Sequence, residues 1–147
     1  EIAQCLVGSE MCIRDSLQQV TVDFYQRDIL HYDLSQLTPG SLDLIVSNPP
    51  YICRSESRAM SENVLGYEPH EALFVPDETP LLFYDKIARD GLTLLSPGGR
   101  LYFEINEAQG PACACMLERQ GYEQIRIIHD LYDKDRFASA VKPHAHG

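Results

Sequence analysis

Asn48-Pro49-Pro50-Tyr51 follows directly on the apolar run Leu42–Ser47, and these residue types suit one kind of chemistry. Proline fixes φ and has no N–H, and a residue before proline is driven to an extended backbone, so the four residues form a stiff corner at a strand end. From it the Asn48 side-chain oxygen and the Pro49 carbonyl offer two converging acceptors, which match the two donors of an NH₂ group. Gripping both N–H bonds out of the substrate plane favours a pyramidal nitrogen and frees a lone pair otherwise delocalised into a π-system. Tyr51 can stack on the planar group and fix its orientation, a proximity effect of several kcal/mol in favourable cases. No strong general base is required, because the nitrogen becomes very acidic once alkylated. The corner thus suits alkylation of a planar amine or amide, although the same four residues can also be a turn that merely ends a strand.

Such a corner needs a sheet to hold it. Val20–Tyr25 alternates apolar and polar residues and reads as a strand, with Asp28 near its end. A turn-rich connection around Pro39-Gly40 leads to the buried strand Leu42–Ser47. Residues 53–79 lack periodicity and read as an irregular excursion with a short helix near 56–63. After Pro80, apolar residues at 82, 83, 87, 92, 94 and 95 are spaced for a helix that stops at the breaker cluster Ser96-Pro97-Gly98-Gly99. Arg100–Asn106 reads as a strand, 108–120 as a helix closing at Gly121, and Gln124–His129 and Arg136–Val141 as two last strands joined by a turn. Strands alternating with helices imply a largely parallel sheet covered by helices, with ligands at the carboxyl ends of its strands. Asp28, Asn48 and Glu104–Asn106 should then share one rim.

The bulk composition narrows the options. A chain of 147 residues, 44% hydrophobic and 23% charged, has the make-up of one globular domain. A net charge of −10 argues against unaided binding to nucleic acid or anionic membrane, yet is compatible with a basic protein partner. No run reaches the roughly 18 apolar residues of a membrane span, and no signal peptide is evident. The five cysteines form no framework; Cys113-Ala114-Cys115 has the look of a metal or redox pair but lacks a second cluster, and free thiols in a reducing cytoplasm are expected. His144 and His146 lie in a tail expected to fray, and no metal site is expected.

In its context the corner resembles that of class I S-adenosylmethionine-dependent methyltransferases acting on planar nitrogen groups. More narrowly, "DLIVSNPPYI", "NVLGYEPHEALFVPDETPLLFYDKIA", "LLSPGGRLYFEIN" and "DLYDKDRFASAV" together resemble the HemK/PrmC family of protein-(glutamine-N5) methyltransferases, over about Val20 to Val141. The resemblance implies an α/β, Rossmann-like fold and methyl transfer from S-adenosylmethionine to the glutamine amide of the Gly-Gly-Gln motif in peptide chain release factors. It implies that Asn48, Pro49 and Tyr51 are catalytic and that Asn48, Pro49, Pro50 and Tyr51 bind substrate. Asp28, with Ile29 beside it and Asn48 near, would bind the cofactor, Asp28 contacting the adenine amino group. Glu68 and Pro69 match a segment near the active-site mouth and read as structural. Glu104 matches an acidic residue at a strand end and is expected to face solvent, Cys53 to be a wall residue, and His70 and Asp85 to lie on the surface. A cytoplasmic monomer is expected, with a release factor as partner and without direct nucleic-acid or membrane contact. Two alternatives stand beside this reading: a nucleic-acid methyltransferase acting on an exocyclic base amine, and a non-functional truncated reading frame.

The family's methyltransferase domain begins with a strand and a Gly-rich loop, which has no counterpart here: before Val20 the only glycine is Gly8, in "CLVGSEMCIRDS". That stretch resembles translated sequencing-adapter sequence. The expectation is therefore a non-native segment over 1–16, the C-terminal part of a catalytic domain over 17–142, and a tail over 143–147. In the family's strand order (third, second, first, fourth, fifth, seventh, sixth) the first two strands and the Gly-rich loop would be missing, leaving Leu42–Ser47 with an open edge prone to aggregation. The 147-residue chain should then bind S-adenosylmethionine poorly or not at all; isothermal titration yielding micromolar affinity would overturn this.

Overall fold

A computed structural model of the chain describes residues 25–53, 55 and 74–144. The expectations for residues 1–24, the short helix near 56–63, Glu68, Pro69, His70 and His146 lie outside these. The described elements are β1 (Leu42–Ser47), β2 (Ile52–Cys53), β3 (Phe74–Val75), α1 (Leu82–Leu94), β4 (Leu95–Glu104), α2 (Gly110–Arg119), β5 (Glu123–His129) and β6 (Asp135–Val141), with one 3-10 turn at Leu34–Gln36.

The main sheet runs β1-β4-β6-β5, and β2 pairs with β3 in a small parallel sheet. This reproduces the expected order of fourth, fifth, seventh and sixth strands. The expectation of a largely parallel sheet needs correction among the described residues. Only β1 and β4 are parallel, whereas β6 runs antiparallel to both β4 and β5. The cause is the short turn between β5 and β6, held by Asp130, since a connection so short can only return the chain antiparallel. The Asp130 carboxylate accepts from the Tyr132 and Lys134 backbone N–H groups and pairs with Arg136 at 3.0 Å. Those backbone bonds, with Arg136, hold its carboxyl below the usual carboxylate range.

Helix α1 buries Phe83, Ile87 and Leu94 from the expected spacing, together with Tyr84, Ala88 and Gly91, while Leu82 and Leu92 are half-buried. On its flanks Asp85 pairs with Arg89, and Lys86 with Asp90 at 2.5 Å. Asp85 is not simply a surface residue, because the Gln120 amide donates to its carboxylate and its carbonyl, at 2.9 and 3.1 Å. Helix α2 ends where expected: Gly121 has φ +92°, and the Tyr122 N–H reaches back to the Leu117 carbonyl at 3.1 Å. The core joins these helices to β4 and β6 through Leu101, Phe103, Ile105, Cys113, Met116, Leu117, Ala138 and Ala140.

Two boundaries differ from the sequence reading. Ser96-Pro97-Gly98-Gly99 does end α1, but it also forms the start of β4 as an irregularity in the ladder, where Leu42 pairs with Leu95 and Leu44 already with Arg100. Its backbone is satisfied by the chain end: the Gly98 N–H donates to the Lys142 carbonyl at 3.0 Å, and the Lys142 N–H to that of Gly99 at 2.9 Å. The tail is accordingly fixed as far as His144, whose ring lies against Gly98, where an added Cβ would meet it at 2.9 Å.

Gly91 is required by a close approach. An added Cβ would meet the Tyr122 hydroxyl at 2.5 Å, and that hydroxyl donates to the Ala88 carbonyl at 2.7 Å in the core. Alanine should favour the helix by about 1 kcal/mol, but displacing Tyr122 combines overpacking of about 1–3 kcal/mol with a lost buried hydrogen bond. Gly91→Ala should therefore lower stability by about 1–2 kcal/mol in urea denaturation. A gain in stability would mean that Tyr122 moves aside freely.

Candidate functional site

The site grows from the carboxyl ends of β1 and β4. Parallel pairing sets Val46 against Tyr102 and Ser47 against Phe103, so Asn48 and Glu104 leave the sheet side by side. Pro49 and Pro50 are buried while Asn48 is exposed, and no peptide bond among the described residues is cis. The prolines thus anchor the corner and the amide projects outward. Among the described residues the Asn48 side chain makes no hydrogen bond within the protein, which leaves its oxygen available to a ligand.

Tyr51 is half-buried and packs on the core. Its hydroxyl lies 3.4 Å from Glu104 Oε1, so Glu104 corrects the expectation of a solvent-facing side chain. The Glu104 carbonyl accepts from the buried Tyr84 hydroxyl at 3.1 Å, and the Tyr84 ring meets Phe103 edge-on at 5.1 Å. Burial first, with Cys113, Tyr51 and Glu104 adding, pushes the Tyr84 phenol far up, so it stays a neutral donor. Cys53 lies half-buried in β2, opposite Val75.

Of the cofactor residues named from the sequence, Asn48 belongs to this rim. Asp28 is exposed and its contacts are local: Oδ1 accepts from the Leu30 N–H at 3.0 Å and Oδ2 meets His31 Nδ1 at 2.8 Å. The His31 contact first, then the Leu30 bond, holds its carboxyl below the usual range. Tyr25, the described end of the first expected strand, is irregular. Ile29 faces a cavity of about 490 Å³ whose walls include Tyr32, Leu42, Ile45 and Ile87. Asp28 is not one of the residues lining it. The pattern that could have marked Glu104 as more than a strand-end acid is a carboxylate one residue past an apolar Phe, on a strand next to the one carrying the corner.

Cys113 and Cys115 do not converge as a ligand pair, since one is buried and the other exposed. Among the described residues no group of three or more His, Cys, Asp or Glu is placed to hold a metal ion, and no helix is long and apolar enough to cross a membrane.

No protein-family profile matches the chain. Individual relatives do. The chain is 50% identical over 119 residues to a release factor glutamine methyltransferase of Bacteroides thetaiotaomicron, covering 81% of this chain and 42% of that protein. It is 42% identical over 121 residues to the one of Flavobacterium psychrophilum, covering 82% and 41%, and 36% identical over 124 residues to that of Lactococcus lactis, covering 84% and 44%. The chain thus spans about two fifths of the length of these relatives. Among solved structures, one described as a possible exported protein from Bordetella parapertussis superposes with a TM-score of 0.51 at 18% identity, over 91% of this chain and 48% of that one, a likeness of fold alone.

Burial pushes the Cys113 thiol up to about 12. At pH about 8 iodoacetamide should therefore label Cys115 and spare Cys113 until the chain unfolds, as peptide mass spectrometry would report. Equal labelling of both in the folded protein would contradict the packing of α2.

Proposed function

We propose, from the premise that the chain belongs to the HemK/PrmC family of release factor glutamine methyltransferases, that it carries the substrate half of a glutamine-amide methyltransferase site. The observation that carries this reading is the Asn48 amide, without a hydrogen bond among the described residues, on a corner whose two prolines are buried, beside a half-buried Tyr51. The Asn48 oxygen and the Pro49 carbonyl accept the two N–H bonds of the glutamine NH₂, and Pro50 keeps that carbonyl fixed. Tyr51 packs on the amide plane and sets its orientation. The grip draws the nitrogen lone pair out of conjugation, and the proton that must later leave is acidic enough for water to take.

The cofactor of this reading is S-adenosylmethionine, which when bound supplies the electrophilic methyl group. The chemistry of the residues present fits its adenine end: the Asp28 carboxylate is an exposed acceptor, and Ile29 beside it lines a cavity shared with Leu42, Ile45 and Ile87. Asn48 sits on the rim where the methyl-bearing end would have to approach the amide. The substrate is the glutamine of the Gly-Gly-Gln motif in a peptide chain release factor, met in the cytoplasm by a monomeric enzyme. A net charge of −10 favours this partner over a polyanionic nucleic acid and its exocyclic amines.

The test uses the protein expressed from its full reading frame, radiolabelled S-adenosylmethionine and a release factor. Wild type should label the factor but not its Gln→Ala variant. Asn48→Ala should lower kcat by about 100-fold, the scale of losing one oriented polar partner at a reacting centre, with little change in Tm because the side chain is exposed. Equal labelling of both release factors would sink the substrate, and an unimpaired Asn48→Ala would sink the clamp.

A further inference from the structure

We infer that Glu104 is a positioning residue of this site, acting through Tyr51: its carboxylate holds the phenol and so fixes the ring that packs on the substrate amide. The inference rests on the glutamine-clamp reading and adds a residue outside the Asn-Pro-Pro-Tyr corner.

The geometry begins with the backbone. Glu104 is the last residue of β4, and the chain is tied down on both sides of its side chain. Its carbonyl accepts from Tyr84, and the next N–H, of buried Ile105, donates to the Arg136 carbonyl at 2.9 Å. Asn106 then closes the turn by accepting from the Ala108 N–H at 2.9 Å. A carboxylate on so constrained a backbone has little freedom. It is half-buried, where an ionised group needs donors, and the Tyr51 hydroxyl, 53 residues away in sequence, is one. At 3.4 Å the contact exceeds the usual 2.5–3.0 Å of an O–H···O bond. Hydrogen bonds of a free enzyme are commonly long and tighten when substrate packs on them.

Arg136 completes the surroundings. Its guanidinium is raised above its usual range mainly by its hydrogen bond to Asp130, with Tyr51 and Glu104 adding. The three groups therefore lie within one another's electrostatic reach at the strand ends. Because Arg136 is engaged by Asp130, Glu104 remains available to Tyr51. The ring is thus held at two places: its inner edge by the core, its hydroxyl by Glu104. Unanchored, a ring still fills space but no longer presents one face to the amide, and a planar group must be oriented to react.

The experiment compares Tyr51→Phe, Glu104→Ala, Glu104→Gln and the double variant Tyr51→Phe/Glu104→Ala in the protein from its full reading frame. Tyr51→Phe and Glu104→Ala should each lower kcat about tenfold with KM for the release factor nearly unchanged, since contacts away from the amide dominate binding of a protein substrate. Together they should lose no more than either alone, because both remove one interaction. Glu104→Gln keeps an acceptor oxygen and should recover most of kcat. A purely structural glutamate would instead lower Tm, multiply the two losses to about 100-fold and not be rescued. Any of these results, or full activity in Glu104→Ala, overturns the inference.

A substrate-independent reading comes from the ¹³Cζ titration of Tyr51 by NMR. Removing a carboxylate beside a phenol should shift the midpoint to lower pH in Glu104→Gln; no shift would refute the contact. If wild type methylates no release factor, the glutamine reading fails while this titration still decides the role of Glu104.

Discussion

The candidate site depends on the parallel pairing of Ser47 with Phe103. Parallel strands deliver their carboxyl ends to the same rim, so this one register brings the proline corner beside Glu104. A slip by one residue would turn Ile45 and Leu101 away from the helices and break the contact between Tyr51 and Glu104 together. Burial defends the register: Leu101 and Phe103 are enclosed in the core, and Phe103 is gripped by Tyr84 from α1. The hydrophobic packing of β4 and the chemistry of the rim are therefore a single constraint, since the residue that fixes the pairing, Phe103, immediately precedes the residue that meets Tyr51.

The same sheet explains where the chain is exposed. Both helices contact the sheet on the face of Leu101, Phe103, Ala138 and Ala140. The expectation of a buried strand at Leu42–Ser47 needs correction, since its residues are half-buried or exposed, Leu44 and Val46 by 53% and 69%, and β1 has no neighbour on its outer side among the described residues. A strand apolar on both faces has the character of an interior strand of a doubly covered sheet. The fold is thus an incomplete Rossmann-like methyltransferase fold, in keeping with a chain that spans about two fifths of its relatives' length.

Much of this was legible in the sequence, for identifiable reasons. β1 announced itself as a short apolar run ended by Pro-Pro, and α1 by its apolar spacing between Pro80 and Gly98-Gly99. Gly121 marked the end of α2 because only the left-handed conformation lets Tyr122 reach back to Leu117. What the pattern hid was whatever depends on partners distant in sequence. The resemblance already placed β6 between β4 and β5, but strand alternation alone missed its antiparallel direction, which the short turn at Asp130 imposes. The entry of Ser96–Gly99 into β4 depends on Lys142, some forty residues on, and so looked like a plain break. Glu104 was placed at the right rim but aimed wrongly, because a side chain's direction at a strand end follows from which neighbour offers a donor, here Tyr51.

The two halves of the candidate site differ in how they are held, and this bears on what the chain can do. In the proposed substrate half, proline stiffness and the burial of Pro49 and Pro50 fix the corner, and among the described residues the Asn48 side chain is left without a hydrogen bond. Tyr51, Glu104 and Tyr84 then tie that half to β4 and α1, the best-buried parts of the protein. Asp28 and Ile29, the proposed cofactor residues, sit in a segment where the Asp28 carboxylate contacts His31 and Leu30 among the described residues. Local bonds of that kind shape a turn, and its placement against the sheet comes from Ile29 and Leu30, which pack on the core. On the proposed reading, orientation of an amide would be built into the described core, and the Asp28 carboxylate, held by local bonds, would meet the methyl donor through the segment that Ile29 and Leu30 seat on that core.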